Sequence, residues 1–302
     1  MSVTPARFRN GHGQNAVLDG FLALADEWIA RAADPAGLAW FRDAIDKVVH
    51  AANDRALGVA IGLAHRKLGR ADLALSPADA ARAAALRPGF DPSDWSVDQL
   101  ARVALMVASH DGDEAAFAAR LDSFCTTAEV NELIALARGL PIYPGARLIE
   151  PRAREAVRSG MKPVFEAVAH RNPYPSEIFA EEAWNHMVVK ALFIGSTLWP
   201  IQGLDARANP RLARMLVDLA QERWAAGRPV SGELWRCVAP HADADGMAAL
   251  QRAWDTGADK ERLAVALAIK VTEAAASLPL GDDIEKFQMR LNAGNITWRD
   301  LA

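Results

Sequence analysis

The amino-acid sequence predicts an all-α fold, an irregular array of antiparallel helix pairs that resembles an α-solenoid or a helical bundle. Three observations predict it. Apolar residues recur at spacings of three and four through most of the 302-residue chain. Many of these segments begin with residue patterns that cap helices. No segment shows the alternation of β-branched residues that indicates strands.

The first helix is predicted in AVLDGFLALADEWIARAA, where Val17, Phe21, Leu24 and Trp28 form one apolar stripe. Similar stripes follow in AIDKVVHAAN, ALGVAIGLAHRKL, DQLARVALMVASH, DEAAFAARLDSF and VNELIALARGL. Ser76 is predicted to cap a helix, with the acid Asp79 near its positive end. Two other helix starts match the capping-box pattern, Ser96 with Gln99 and Thr126 with Glu129.

The chain divides by sequence character into three parts. Residues 1–145 are predicted to form a helical array, residues 146–240 form a distinctive segment rich in Trp, Asn, His and Pro, and residues 241–302 form a helical tail. We expect the three parts to belong to one continuous structural unit. No fixed repeat period connects them.

Composition narrows the range of functions. A net charge of -4 gives no general attraction to nucleic acid or acidic membranes. Cys125 and Cys237 lie far apart in helix-like contexts, which indicates buried thiols in a reducing compartment. The N-terminal residues lack a secretory signal, and no apolar stretch is long enough to span a bilayer. We therefore expect a soluble, cytoplasmic protein without a membrane span or nucleic-acid partner.

The stretch FEAVAHRNPYPSEIF predicts a helix that ends in a stiff polar corner. Asn172 and Tyr174 each precede a proline and are expected to be extended. Arg171 lies at the end of an apolar stripe, so its guanidinium is expected to reach water or an acid. His170 stands beside it. An ordinary helix terminator, with the tyrosine packed on proline, is the alternative.

The next helix, EEAWNHMVVKALFIG, starts polar on one face and ends apolar all round. Its polar half contains Glu181, Glu182, Asn185, His186 and Lys190. The apolar end is expected to be buried, so that Lys190 either meets an anion or is half exposed with its stem over Phe193. Glu182 and His186, four residues apart, are the nearest approach to a metal-ligand pair, but no H-E-x-x-H or cysteine cluster accompanies them.

In DARANPRLARMLVDLAQERWAAGRP, Asn209 is predicted to cap a helix that Pro210 opens. The helix buries a stripe through Leu216, and Arg223 falls near the centre of that stripe. A charged residue in this position is expected to be paired. Its candidate partners are Glu177, Glu182, Asp205 and Glu222.

Together these residues predict a basic and polar pocket between helices. It would favour an anionic, hydroxyl-bearing small molecule, because guanidinium groups match phosphate and carboxylate. The candidate ligand-binding residues are His170, Arg171, Asn172, Tyr174, Glu177, Asn185, His186, Lys190, Asp205, Arg207, Asn209, Glu222 and Arg223. The alternative is that the same residues form only a structural salt-bridge network. No metal or cofactor is predicted.

The sequence resembles the EboA-domain family. The resemblance rests on FEAVAHRNPYPSEIF, AWNHMVVKALFIG, GLDARANP and ERWAAGRPVSGELWR, and it covers residues 160–236 most strongly. The matching positions are Asn172, Tyr174, Trp184, Asn185, Lys190, Asp205, Arg207, Asn209, Glu222, Arg223 and Trp235. The resemblance implies a soluble protein of a metabolite biosynthesis or traffic pathway, without assigning a reaction.

We therefore predict a protein that binds an anionic small metabolite, such as a phosphorylated or prenyl-pyrophosphate-like compound. Whether it also transforms the ligand is left open. Tyr174, His186 and Glu177 are the candidate proton-transfer groups. The rival hypothesis is a non-catalytic scaffold for other proteins of its gene cluster, in which case the tryptophans are expected to mark exposed surface.

Overall fold

The structure is a computed structural model and describes residues 14–51, 53–270, 272, 278, 280 and 283–302. These residues contain seventeen α-helices and no β-strand, so the predicted all-α fold is confirmed. The chain forms two compact units, one ending at Ile178 and the other beginning at Phe179. The three-part division by sequence character stays a prediction.

The first unit contains ten helices among the described residues. They are α1 (Gln14–Ala32), α2 (Pro35–Val49), α3 (Arg55–Leu68), α4 (Pro77–Leu86), α5 (Val97–Ala108), α6 (Glu114–Thr127), α7 (Val130–Arg138), α8 (Glu150–Arg158), α9 (Lys162–Ala169) and α10 (Tyr174–Ile178).

The centre of the first unit is α5, which packs against α1, α2, α3 and α7. Every residue of this helix except Gln99 is buried. The burial includes an ion pair between Asp98 and Arg102, whose guanidinium also donates a 3.1 Å hydrogen bond to the carbonyl of Ile61 on α3. The helix is therefore tied to α3 by a charged group as well as by apolar packing.

The predicted cap at Ser76 is confirmed, and this residue forms a reciprocal capping box with Asp79 at the start of α4. Of the two predicted capping boxes, that of Ser96 is present, since Ser96 donates its backbone N–H to Gln99 at the start of α5. The third prediction is wrong. Thr126 lies in the last turn of α6 and donates its hydroxyl to the carbonyl of Asp122, because the apolar stripe of that helix extends to Cys125.

The second unit contains seven α-helices and two short 3-10 helices among the described residues. The α-helices are α11 (Glu181–Phe193), α12 (Pro210–Ala225), α13 (Trp235–Val238), α14 (Ala244–Thr256), α15 (Asp259–Lys270), α16 (Asp283–Ala293) and α17 (Trp298–Leu301). The 3-10 helices span Gly232–Leu234 and Ala239–His241.

A buried carboxyl group fixes the turn that follows α11. Glu233 is only 1% exposed, and its two oxygens accept hydrogen bonds from the backbone N–H groups of Leu198, at 2.9 Å, and Trp199, at 2.6 Å. Burial raises the pKa of Glu233, although both N–H groups and Arg236 act in the opposite direction. The carboxyl group thus replaces water for two N–H groups of the turn.

Aromatic and thiol side chains lie mostly inside. None of the nine tryptophans is exposed, so packing inside the protein accounts for these side chains. Cys125 and Cys237 are buried free thiols, as predicted. Among the described residues no helix has the length and apolar character that a bilayer-spanning segment requires. The cytoplasmic location stays a prediction.

Candidate functional site

The polar corner after α9 is built around a buried amide. Asn172 is 3% exposed; its side-chain N–H group donates to the carbonyl of Ala167, and its side-chain oxygen accepts the backbone N–H of Tyr174 at 3.0 Å. Arg171 has a φ angle of +50°, a left-handed conformation that a non-glycine residue adopts only when its surroundings hold it. The predicted end of the helix is confirmed, and the corner is locked by its own hydrogen bonds.

Tyr174 does not adopt the predicted extended conformation. It begins α10, with Pro175 in the first turn, where the missing N–H has no helical partner to lose. Two contacts override the local preference set by the proline. Asn172 accepts the tyrosine N–H, and the buried phenol donates a 2.5 Å hydrogen bond to the carbonyl of Ala146. Burial raises the pKa of Tyr174, so the phenol keeps its proton.

Arg171 meets an acid, as the sequence predicted. Its Nη1 lies 3.0 Å from a carboxylate oxygen of Asp91 and 3.4 Å from the hydroxyl of Ser93. Burial acts to raise the pKa of Asp91, but hydrogen bonds from Ser93 and Arg171 outweigh it and lower the pKa. The carboxylate therefore stays charged beside the guanidinium.

Asp91 belongs to the loop between α4 and α5. Two further ion pairs join this loop to other parts of the first unit. Arg87 binds both carboxylate oxygens of Glu177, and Arg138 binds a carboxylate oxygen of Asp94 at 2.9 Å. Sequence reasoning missed Arg87, Asp91, Asp94 and Arg138. Arg87, Asp91 and Asp94 lie in the stretch LRPGFDPSDWS, whose charged residues were the available signal, whereas Arg138 lies at the end of VNELIALARGL.

The crevice beside this corner is narrow. It has a volume of about 10 Å³ and is lined by residues that include Arg138, His170, Arg171 and Asn172. That is room for roughly one water molecule. This crevice is too small for a metabolite, and that the candidate residues of the first unit line a ligand pocket stays a prediction.

In the second unit, two candidate amides pair with each other. Asn185 is fully buried, and it exchanges hydrogen bonds of 3.2 Å and 2.9 Å with the side chain of Asn209. Asn209 also accepts the N–H of Leu212 at 2.9 Å, which confirms it as the cap of α12. The pair locks α11 to the start of α12.

Arg207 stacks on a buried tryptophan. Its guanidinium carbon lies 4.7 Å from the centre of the Trp184 ring, and burial lowers the pKa of Arg207. Such cation–π contacts contribute about 0.5–2 kcal/mol. The indole N–H of Trp184 is buried without a hydrogen-bond partner.

Arg223 is paired, but not with the predicted carboxylates. Its Nη2 donates a 2.8 Å hydrogen bond to the carbonyl of Leu192 and a longer one to Phe193, while Nη1 lies 3.4 Å from the carbonyl of Pro229. Leu192 and Phe193 are the last residues of α11, where unpaired carbonyls and the helix dipole favour a cation. Because the stripe of α12 reaches that helix end, the guanidinium caps α11.

The apolar end of α11 is not fully buried, contrary to prediction. Phe193 is 64% exposed, and Lys190 is half-buried. The carbonyl of Phe193 at this helix end lies 3.4 Å from Nη2 of Arg223. Asp205 pairs with Arg236 at 2.6 Å, whereas His186 and Glu222 are exposed. That all thirteen candidates share one pocket stays a prediction.

A larger opening in the second unit lies where α12 ends. This cleft, which we call the tryptophan cleft, has a volume of about 210 Å³. It is lined by Trp224, Arg228, Pro229, Val230, Trp235, Ala253, Thr256, Gly257 and Glu261. The rings of Trp224 and Trp235 stack with centres 6.0 Å apart, and the guanidinium of Arg252 lies 4.3 Å from the Trp224 ring.

Metal-binding side chains do not cluster in the described part of the chain. No group of three His, Cys, Asp or Glu residues there is arranged to hold an ion. Glu182 and His186 are both exposed on α11.

The fold and the tryptophan cleft together define an all-α protein with a ligand-sized opening at the end of a helix. The chain belongs to the EboA family, because the family model described as metabolite traffic protein EboA matches residues 21–239. No curated protein and no solved structure matches the chain significantly.

Proposed function

We propose that the protein binds a small anionic metabolite with an apolar body in the tryptophan cleft and passes it on without transforming it. The observation that carries the proposal is the position of Arg228. Its guanidinium is exposed and makes no ion pair or side-chain hydrogen bond among the described residues, and it stands beside a wall of two tryptophans. The family description supports a role in metabolite traffic.

Charge favours an anion here. One guanidinium group, that of Arg228, lines the cleft, and those of Arg223 and Arg252 contact lining residues, Pro229 and Trp224, from beside it. The lining contains one carboxylate, that of Glu261, and one of its oxygens already accepts the backbone N–H of Ala258 at 2.7 Å. Phosphate and carboxylate groups bind such guanidinium groups with two parallel hydrogen bonds.

The apolar lining favours a ligand with a hydrocarbon or aromatic body. Trp235, Val230 and Ala253 are at most 7% exposed and form the floor, and Trp224 is half-buried. Burying a flat or branched apolar group on this surface contributes about 25 cal/mol per Å². Anion and apolar body together match the prenyl-pyrophosphate-like class predicted from the sequence.

The side chains that line the tryptophan cleft favour binding and transport of the ligand over catalysis. The only hydroxyl group in it, that of Thr256, donates to the carbonyl of Arg252. Two of the candidate proton-transfer groups have other partners, since Tyr174 donates to Ala146 and Glu177 binds Arg87. The residues that line the tryptophan cleft supply charge and apolar surface. No pair of these residues is arranged as an acid and a base.

The scaffold hypothesis receives less support. It predicted exposed tryptophans, and that expectation is wrong, because none of the nine is exposed. One of the thirteen candidate residues, Arg223, contacts the carbonyl of Pro229, which lines the tryptophan cleft.

Calorimetric titration with three matched compounds tests the proposal. Dimethylallyl pyrophosphate has both features, inorganic pyrophosphate lacks the apolar body, and dimethylallyl alcohol lacks the charge. We expect dimethylallyl pyrophosphate to bind at least about tenfold more tightly than either of the others.

Substitution of the cleft arginine supplies the control. Arg228→Gln is expected to weaken binding of dimethylallyl pyrophosphate about fivefold or more. Arg211→Gln, on the exposed first turn of α12, should leave it unchanged. Equal affinity for pyrophosphate and its prenyl ester, or equal effects of the two substitutions, would overturn the proposal.

A further inference from the structure

The first unit contains a second and larger cleft, far in sequence from the family signature. It has a volume of about 350 Å³ and lies where α2 and α5 end and α3 begins. We call it the histidine cleft. Its lining residues are Val48, Val49, Ala51, Asn53, Asp54, Leu57, Ala108, Ser109, His110, Asp111 and Arg120.

The floor of the histidine cleft is apolar. Val48, Val49, Leu57 and Ala108 are each at most 7% exposed. Ligand pockets of about 300–1,000 Å³ typically combine such a floor with a few polar groups. The floor is therefore suited to a short hydrocarbon chain.

One wall carries a histidine whose hydrogen bonding is incomplete. His110 is 8% exposed, and its Nδ1 is buried without a hydrogen-bond partner. The ring packs edge-on against Phe117, with centres 5.7 Å apart. Nε2 is consequently the one polar atom that this side chain offers to a ligand. Burial lowers the pKa of His110, so the imidazole is neutral at neutral pH.

The guanidinium in the cleft is already occupied. Nε of Arg120 donates to Asp54 at 2.7 Å and Nη1 donates to the carbonyl of Ser109 at 2.9 Å. Asp111 accepts one backbone N–H, from Asp113 at 3.2 Å, and is otherwise exposed. The lining carboxylates thus outnumber the guanidinium two to one.

The charged groups around His110 are also mostly negative. Asp111, Asp113 and Glu114 act electrostatically on the imidazole as anions, against the single cation of Arg120. Two helix C-termini, those of α2 and α5, and one helix N-terminus border the cleft, which adds a small negative potential. This site is opposite in charge to the tryptophan cleft.

We propose that the histidine cleft binds a small organic cation, a primary amine with a short apolar chain. Its ammonium group donates hydrogen bonds to the carboxylate of Asp111 and to Nε2 of His110. Its chain lies on Val48, Val49 and Leu57. The amine also selects the imidazole tautomer that carries its proton on Nδ1, because Nε2 must then accept a hydrogen bond. This site does not depend on the function proposed for the tryptophan cleft.

Three compounds of similar size, with the same branched hydrocarbon end and different charge, test the charge preference. Isoamylamine, isoamyl alcohol and isovalerate are titrated into the full chain while calorimetry and the ring signals of His110 are followed. We expect isoamylamine to bind at least about fivefold more tightly than the alcohol, and isovalerate more weakly than both. The His110 signals should shift with the amine.

Two substitutions of exposed acids, one in the cleft and one outside it, distinguish binding at a specific site from general attraction of cations to the protein. Asp111→Asn is expected to weaken amine binding about threefold or more, whereas Asp218→Asn, on the exposed face of α12, should not. The alcohol affinity should stay the same in both variants. Binding of the amine and alcohol with equal affinity, tighter binding of isovalerate, equal effects of the two substitutions, or no binding at about 10 mM would each overturn the proposal.

Discussion

The two tyrosines of the chain show how a single hydrogen bond distinguishes otherwise similar buried residues. Tyr143 is 3% exposed and its hydroxyl has no partner, whereas Tyr174 is 1% exposed and its hydroxyl donates to Ala146. Burial raises the pKa of both phenols. A buried polar group without a partner costs free energy that a paired group does not.

Removing the two hydroxyls should therefore have different effects. We expect Tyr143→Phe to leave the free energy of unfolding unchanged or to raise it by up to about 1 kcal/mol. Tyr174→Phe should lower it by about 1 kcal/mol and leave the carbonyl of Ala146 unpaired. Urea unfolding of both variants measures the difference, and an equal loss in the two would contradict the interpretation.

The arginines of the signature illustrate what residue-level reasoning reached and missed. The sequence showed that Arg171 and Arg223 lie on apolar stripes and need partners. Arg171 forms an ion pair with Asp91, eighty positions away, and Arg223 donates hydrogen bonds to backbone carbonyls at the end of α11. A pattern within one helix indicates that a partner is needed, but the packing of other elements determines which group supplies it.

At the scale of elements, α5 is the helix on which the first unit depends. Its buried ion pair joins Arg102 to Asp98 one turn earlier, and the hydroxyl of Ser96 adds a 2.6 Å hydrogen bond to that carboxylate. Removing one member of a buried ion pair leaves the other charge uncompensated.

A double-mutant cycle tests this helix. Arg102→Met alone should destabilise the protein by about 3–5 kcal/mol, because Asp98 then keeps a buried charge without its partner. The combined change Asp98→Asn with Arg102→Met should be less destabilising than the sum of the single changes. Unfolding by urea gives all four free energies. Additive effects of the two substitutions would show that the charges do not interact.

Element boundaries were predictable where capping is local. Ser76, Ser96 and Asn209 all stand at the predicted helix starts, since each cap involves residues at most three positions away. Thr126 was misassigned because its pattern also fits the end of a longer helix. The conformation of Tyr174 was wrong because contacts with Asn172 and Ala146 outweighed the proline rule.

For the whole molecule, the two thiols report on the integrity of the fold. Burial raises the pKa of both Cys125 and Cys237 to about 12. The thiolate is the reactive form, so a native thiol with this pKa is almost entirely protonated at neutral pH.

Titration with a thiol-reactive dye should therefore find no fast-reacting cysteine in the native protein. Each thiol should react at least about 100-fold more slowly than free cysteine. After unfolding in guanidinium, both should react. One rapidly reacting thiol in the native state would show that its unit opens more readily than the buried positions of these residues indicate.

The sequence by itself determined the helical class, the helix starts at Ser76, Ser96 and Asn209, the buried stripes and the family. These depend on residues within a few positions of each other, where helix periodicity and capping act. The tertiary structure decided the partner of each charge, the exposure of Phe193 and the positions of both clefts. Those features join residues dozens of positions apart, as in the pairs of Asn185 with Asn209 and Arg87 with Glu177, and their formation depends on how whole helices pack.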